Sequence, residues 1–152
     1  MMANRAQEKY RLTASFKASP RLSVRGRLEY TEVGYSPSGR KEKGCLLYQD
    51  IRCRVVDRLS VQGRLIFFQT DSYDSRLYEY ENDIRGVFSN PGLYGKGKRW
   101  YVMARYDIAD ILTLSAKYAE MQKEGVTSIG SGETEIMGDV DNRLSIQLDL
   151  RL

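Results

Sequence analysis

Residues Asn142 to Leu152 read N-R-L-S-I-Q-L-D-L-R-L. Leu144, Ile146, Leu148, Leu150 and Leu152 alternate with Ser145, Gln147, Asp149 and Arg151. Successive side chains of a strand point to opposite faces, so this stretch predicts one apolar face and one polar or charged face. Strand ends of soluble proteins usually fray into a polar tail, whereas here the alternation runs to the final residue. A transmembrane barrel strand carries such a pattern, with its apolar side towards lipid and its polar side towards the lumen. A soluble barrel or sandwich, its apolar side chains turned inwards, carries the same alternation.

The pattern recurs upstream. Tyr10, Leu12, Ala14, Phe16 and Ala18 alternate with Arg11, Thr13, Ser15 and Lys17, and Ser19-Pro20 marks a tight turn. Leu22, Val24, Gly26, Leu28 and Tyr30 then alternate with Ser23, Arg25, Arg27 and Glu29, which predicts an antiparallel hairpin. After a polar loop over 36–44, Cys45, Leu47, Ile51, Cys53 and Val55 oppose Tyr48, Asp50, Arg52 and Arg54, with Gln49 the exception on the apolar side. A turn at Asp57-Arg58 leads to Leu59, Val61, Gly63, Leu65 and Phe67 opposite Ser60, Gln62 and Arg64. Apolar Ile66 and Phe68 leave the far end of that strand ambiguous. Residues 71–98 break the rhythm, first acidic and tyrosine-rich, then glycine-rich. Alternation returns with Trp100, Val102, Ala104, Tyr106 and Ile108 opposite Arg99, Arg105 and Asp107. A turn at Ala109-Asp110 precedes Leu112, Leu114, Ala116 and Tyr118, opposite Thr113, Ser115 and Lys117, and a long loop covers 123–141.

Connection lengths test the membrane reading independently, because outer-membrane barrels have short periplasmic turns and longer external loops. Counted back from the C-terminus, 123–141 is external, Ala109-Asp110 periplasmic, 71–98 external, Asp57-Arg58 periplasmic, 36–44 external and Ser19-Pro20 periplasmic. Every length falls on its expected side only if 76–89 is not a membrane strand. The fold class is therefore all-β, an antiparallel up-and-down barrel segment of about seven crossing strands plus an external hairpin. Residues 1–9 read as a disordered stub and 10–152 as the barrel segment. Single-chain bacterial barrels usually have an even strand number, so partner strands of the same barrel, and the signal peptide that residues 1–9 lack, are expected upstream.

Composition agrees with that class. The chain has 152 residues, eleven of them tyrosines, a type that suits strands and membrane–water interfaces. Its mean hydropathy is −0.51, and no apolar run approaches the ~20 residues of a membrane helix. The net charge of +4 is spread along the chain rather than gathered in a basic tail, and nothing in it calls for a nucleic-acid partner. The partners expected are outer-membrane lipid and the upstream strands.

The residues available for chemistry point away from an enzyme. There is no histidine, so Ser-His and Cys-His nucleophile activation and His-ligated zinc are absent. Cys45 and Cys53 stand ~27 Å apart along one strand at ~3.4 Å per residue, too far for a disulfide within it. The acids Asp71, Asp74, Glu79, Glu81 and Asp83 offer oxygen ligands for calcium, but without D-x-D-x-D-G spacing they read as a solvated loop. Gly92, Gly95 and Gly97 with Lys96 and Lys98 lack G-x-x-x-x-G-K-[ST] and read as a turn entering a strand. No catalytic residue, metal or cofactor is assigned. Two sets remain. Arg25, Arg27, Arg52, Arg54, Arg64, Arg99 and Arg105 are candidate lumen-lining cations, paired across strands with Glu29, Asp50 and Asp107 or left to favour anions. Asp71, Tyr73, Asp74, Tyr78 and Tyr80 are a candidate external interaction loop. Trp100, Tyr106, Tyr118 and Tyr10 are candidates for aromatic girdles.

The stretch T-D-S-Y-D-S-R-L-Y-E-Y-E-N-D-I-R-G-V-F-S-N-P-G-L-Y-G-K-G-K-R-W-Y (70–101), with I-G-S-G-E-T-E-I (129–136) and the closing strand, resembles the C-terminal part of outer-membrane proteins of Bacteroidota. Some of those proteins carry an N-terminal helix-hairpin-helix or competence-type segment. The resemblance covers roughly Tyr10 to Leu152 and implies a bacterial outer-membrane location and a porin-like barrel fold. It implies no functional residues, and the helix-hairpin-helix part to which a DNA-uptake role belongs has no counterpart here. The expected function is a structural or pore-forming barrel segment. A soluble lipocalin-like barrel around an apolar ligand and a cell-surface interaction module are the alternatives.

Overall fold

The computed structural model describes residues 4–36 and 38–151. Seven long strands form one antiparallel up-and-down sheet: β1 (Asn4–Ser19), β2 (Leu22–Ser36), β3 (Lys41–Val56), β4 (Leu59–Thr70), β7 (Lys96–Ala109), β8 (Leu112–Lys123) and β11 (Val140–Leu150). Two small hairpins stand outside it, β5 (Leu77–Tyr78) with β6 (Gly92–Leu93), and β9 (Ser128–Ile129) with β10 (Ile136–Met137). The order β1-β2-β3-β4-β7-β8-β11 has the expected strand number and meander topology. Among the described residues β1 and β11 each pair with a single neighbour, so the sheet has two open edges.

The three short turns, at 20–21, 57–58 and 110–111, lie at one end of the sheet, and each follows a register shift, between Lys17 and Ser19, Arg54 and Val56, and Asp107 and Ala109. Such bulges increase local twist where a strand ends. The longer connections lie at the other end. Two boundaries differ from the sequence reading. The expected stub is corrected over 4–9, because β1 begins at Asn4, which pairs with Ser36, while residues 1–3 lie outside the described residues. A ladder needs only backbone donors and acceptors, so polar side chains on both faces do not end a strand whose neighbour continues beside it. The loop expected over 36–44 is likewise shorter, since β3 already begins at Lys41. Pro37 and the final Leu152 lie outside the described residues.

The two faces of the sheet are unlike. One is bare: Leu12 is 71% exposed, Phe16 69%, Ile146 66% and Leu148 62%. Over 10–16, 22–30, 45–53, 59–67, 100–106, 112–118 and 144–150, Gln49 is the only amide or charged side chain on this face among the described residues. The opposite face carries Arg27, Glu29, Asp50, Arg64, Arg99 and Lys117, and residues 71–98 fold across its upper half, away from the short turns.

The apolar core lies between that segment and the sheet. Leu77 and Leu93, fully buried on the β5–β6 hairpin, belong to one cluster with Leu46, Tyr48, Ile66, Phe68, Met121 and Ile129. This accounts for the ambiguous end of β4. Ile66 and Phe68 depart from the polar pattern of the covered face because a segment of the same chain lies on them. The expectation of a solvated acidic loop holds for Asp71 and Asp74, which are exposed, and is corrected for the other three acids. Glu79 and Glu81 are buried, and Asp83 is half-buried.

Candidate functional site

The covered face holds an array of ion pairs whose partners come alternately from the sheet and from residues 71–98. Along 77–81 burial alternates residue by residue: Leu77, Glu79 and Glu81 point inwards, whereas Tyr78 and Tyr80 are exposed. Arg27 Nη1 donates to both carboxylate oxygens of Glu79, at 2.9 and 3.1 Å. Arg64 makes a two-pronged contact with Asp50 on the adjacent strand and donates from Nη1 to the Tyr80 carbonyl at 2.8 Å. Arg99 grips Glu81 through Nε at 2.5 Å and Nη2 at 3.0 Å. Lys117 Nζ lies 3.4 Å from Glu81 Oε2 and 2.7 Å from Asp83 Oδ2.

Aromatic rings separate these cations. The Arg27 and Arg64 guanidinium carbons lie 5.2 and 4.1 Å from the Tyr48 ring centre, and Lys117 Nζ lies 4.6 Å from that of Tyr101. Arg27, Tyr48, Arg64, Tyr101 and Lys117 thus step across five neighbouring strands, each cation within reach of a ring face. Four cations (Arg27, Arg64, Arg99, Lys117) meet four carboxylates (Asp50, Glu79, Glu81, Asp83), so the covered array is formally neutral.

Magnitudes divide the labour within this array. Full burial of a leucine contributes roughly 1.5–3 kcal/mol, whereas a buried ion pair nearly breaks even against its desolvation. Leu77 and Leu93 therefore hold residues 71–98 down, and the ion pairs fix their register. Backbone ties add to this at the strand ends. Asp71 N donates to the Lys43 carbonyl at 2.8 Å, Lys43 N donates to Asp71 Oδ2 at 2.8 Å, and Ser72 bonds Glu42. Gly44 lies beneath this point, where a Cβ would stand 2.4 Å from the Ser75 carbonyl oxygen. Only glycine lets the segment approach so closely.

The candidate lumen cations are thus divided by the fold. Arg27, Arg64 and Arg99 are brought together and neutralised beneath 71–98. Arg25, Arg52, Arg54 and Arg105 lie on the same face nearer the short turns, beyond that cover. The expected pairing is found between Asp50 and Arg64. Glu29 instead takes Arg11 at 2.5 Å, leaving its Oε1 without a hydrogen-bond partner among the described residues, and Asp107 lies 3.6 Å from Arg105 on its own strand.

The five residues of the candidate interaction loop are exposed, but several are tied into the structure. Asp74 accepts from the Tyr35 hydroxyl at 2.6 Å, Tyr73 packs edge-on against Tyr94 at 5.0 Å, and Tyr80 lies 5.4 Å from Phe88. The Tyr78 hydroxyl, accepting from Arg76 Nε at 2.6 Å, holds the Arg76 guanidinium above its ordinary value and so fully charged. Cys45 and Cys53 are free thiols.

The upper border of the bare face repeats one device. Tyr10, Tyr30 and Tyr118 each donate a hydroxyl hydrogen bond to a glutamate two residues along the same face: Glu8 at 3.0 Å, Glu32 at 3.2 Å and Glu120 at 3.0 Å. Trp100 Nε1 also donates to Glu120, at 3.2 Å. Each ring lies along the apolar band with its polar tip turned away from it, the arrangement an amphipathic aromatic adopts at a boundary between apolar and wet surroundings.

Comparison of the chain with protein-family models, curated proteins and solved structures finds no match. One signal for the covered array was nevertheless present in the chain. R-L-S-V-R-G-R-L at 21–28 returns as R-L-S-V-Q-G-R-L at 58–65, and I-L-T-L-S-A-K-Y at 111–118 follows the same pattern after the third short turn. Arg27, Arg64 and Lys117 occupy equivalent positions in the three hairpins, and all three cations engage residues 71–98. Asp50 was legible as a partner, but Glu79, Glu81 and Asp83 were not, because no periodicity links 79–83 to strands more than a dozen residues away.

Proposed function

We propose that the chain is a membrane-spanning β-barrel segment of a bacterial outer-membrane protein. In this reading the bare face meets lipid, the covered face lines the lumen, and residues 71–98 plug the outer half of that lumen. The observation that carries it is the combination of an exposed apolar band free of charge with a charged face that the chain itself covers and neutralises. Seven strands at ~4.8 Å spacing and about seven residues of ~3.4 Å each make a band of ~800 Å². The largest apolar patch on a typical soluble monomer is about 300–600 Å².

A lipocalin-like barrel turns its apolar side chains inwards around a ligand. Here the covered side holds eight ionised groups, which counts against an apolar ligand site. The tyrosine–glutamate border and Trp100 suit the membrane–water interface, where aromatic side chains form girdles. The short turns then face the periplasm and the longer connections the outside. The open edges of β1 and β11 call for further strands of the same barrel to close the ladder, as closed barrels alone leave no unpaired backbone in lipid. The resemblance of 70–101 and 129–136 to Bacteroidota outer-membrane proteins supports the same location.

Solubility tests the proposal. Expressed alone, the chain is expected in inclusion bodies and to regain β-structure only on transfer into detergent or lipid. A folded, monodisperse monomer in detergent-free buffer would contradict it.

A further inference from the structure

Residues 71–98 reach down the charged face as far as Gln62, which accepts from Asn82 Nδ2 at 3.2 Å, and the side chains around Ser23 and Ser60 lie nearer the short turns. Ladder register sets three rows of side chains there. Ser23 lies between Lys17 and Arg52, across β1, β2 and β3. Ser60 lies between Arg54 and Arg105, across β3, β4 and β7. Thr113 lies between Asp107 and Asp149, across β7, β8 and β11. The three hydroxyl residues directly follow Leu22, Leu59 and Leu112, the first residues of their strands, so the hairpin repeat places a hydroxyl at the centre each time. Only the flanks differ: two rows are basic and the third is acidic.

We infer that the two basic rows form a cradle for a soluble anion bearing phosphate groups, each row supplying two cations and a hydroxyl donor. Directly opposed side chains have Cβ atoms ~4.5–5.5 Å apart, so each hydroxyl is flanked within reach of both neighbours. All six residues line one cavity of about 390 Å³, within the ~300–1,000 Å³ range usual for small-molecule sites. Arg52 and Arg54 project from the same face of β3 ~7 Å apart, which lets one diphosphate touch both rows. A guanidinium presents planar, paired donors that match phosphate oxygens.

Charge supply separates this region from the covered array. Among the described residues Lys17, Arg52 and Arg54 form no ion pair, and Arg105 has only the loose 3.6 Å contact with Asp107. Under 71–98, by contrast, Arg27, Arg64, Arg99 and Lys117 are each paired with a carboxylate, and the buried Lys123 lies against the Tyr94 ring at 3.2 Å. The acidic third row repels an anion from the β8–β11 side and confines it to the two basic rows. This inference goes beyond the membrane reading and rests on strand register, whichever medium the bare face meets.

Arginine-specific modification by phenylglyoxal, read residue by residue by mass spectrometry on the folded full chain, tests it without any substitution. Inorganic pyrophosphate is expected to slow modification of Arg52, Arg54 and Arg105 severalfold and to leave Arg58 and Arg151, also at the short-turn end, unchanged. An Arg105→Gln chain should lose much of the protection at Arg54. Equal protection at all five arginines, or none at Arg52 and Arg54, would overturn the cradle. A parallel arm with short-chain phosphatidic acid separates the two sources of phosphate. Protection by the lipid but not by pyrophosphate would overturn the assignment to a soluble anion.

Discussion

Glu81 has the strongest single claim on the covered face. It is fully buried and answers two cations, Arg99 at 2.5 Å and Lys117 at 3.4 Å. Removing one member of a buried pair leaves an uncompensated charge and costs roughly 3–5 kcal/mol. Glu81→Leu should therefore destabilise the fold by about that amount in denaturant titration, whereas the exposed Glu133→Gln should stay within about ±0.5 kcal/mol. Glu81→Leu combined with Lys117→Met should lose less than the sum of the single changes, because the two groups share one contact. Strict additivity would mean that they do not interact. Gly44 gives an independent test of how residues 71–98 lie on the sheet. A methyl group there meets backbone at 2.4 Å, so Gly44→Ala should lift residues 71–98 and speed tryptic cleavage at Arg76 and Arg85. Unchanged cleavage would show that the close approach of Ser75 is not required.

The long strands were legible because period-two alternation reports both faces at once, and each short turn fell between two alternating runs. The segment 77–81 also alternates, but between acids and tyrosines after Leu77, and that combination reads as a loop unless buried cations are known to face it. Its position was nonetheless written into the neighbouring strand, where Ile66 and Phe68 are apolar on an otherwise polar face. The first residues of β1 were illegible for another reason. Asn4 to Lys9 show no face preference, and their strand state comes from the ladder with β2. The reading of 77–81 makes a direct prediction. Tyr80→Arg, at an exposed position, should be nearly neutral in an unfolding titration, whereas Glu79→Arg sets a cation against Arg27 and Arg64 and should destabilise strongly. Equal effects at the two positions would mean that the segment does not lie on the sheet with the face described.

Class and topology followed from sequence: seven strands, one meander, two unlike faces. The location of the charges was half legible, since alternation assigned them to a face, but only its break at Ile66 and Phe68 marked where the chain covers that face. One face carries a bare apolar band, the other a neutralised charge array beneath residues 71–98, with Lys17, Arg52 and Arg54 unpaired among the described residues nearer the short turns. In the proposed membrane reading the bare face meets hydrocarbon. With Trp100 replaced by phenylalanine, a single tryptophan introduced as Leu148→Trp or as Gln147→Trp reads the two faces of β11 one residue apart. In vesicles of lipids brominated on their acyl chains, the tryptophan at 148 should be strongly quenched and the one at 147 weakly. Weak and equal quenching at both positions would mean that this strand does not border lipid, and would contradict the account.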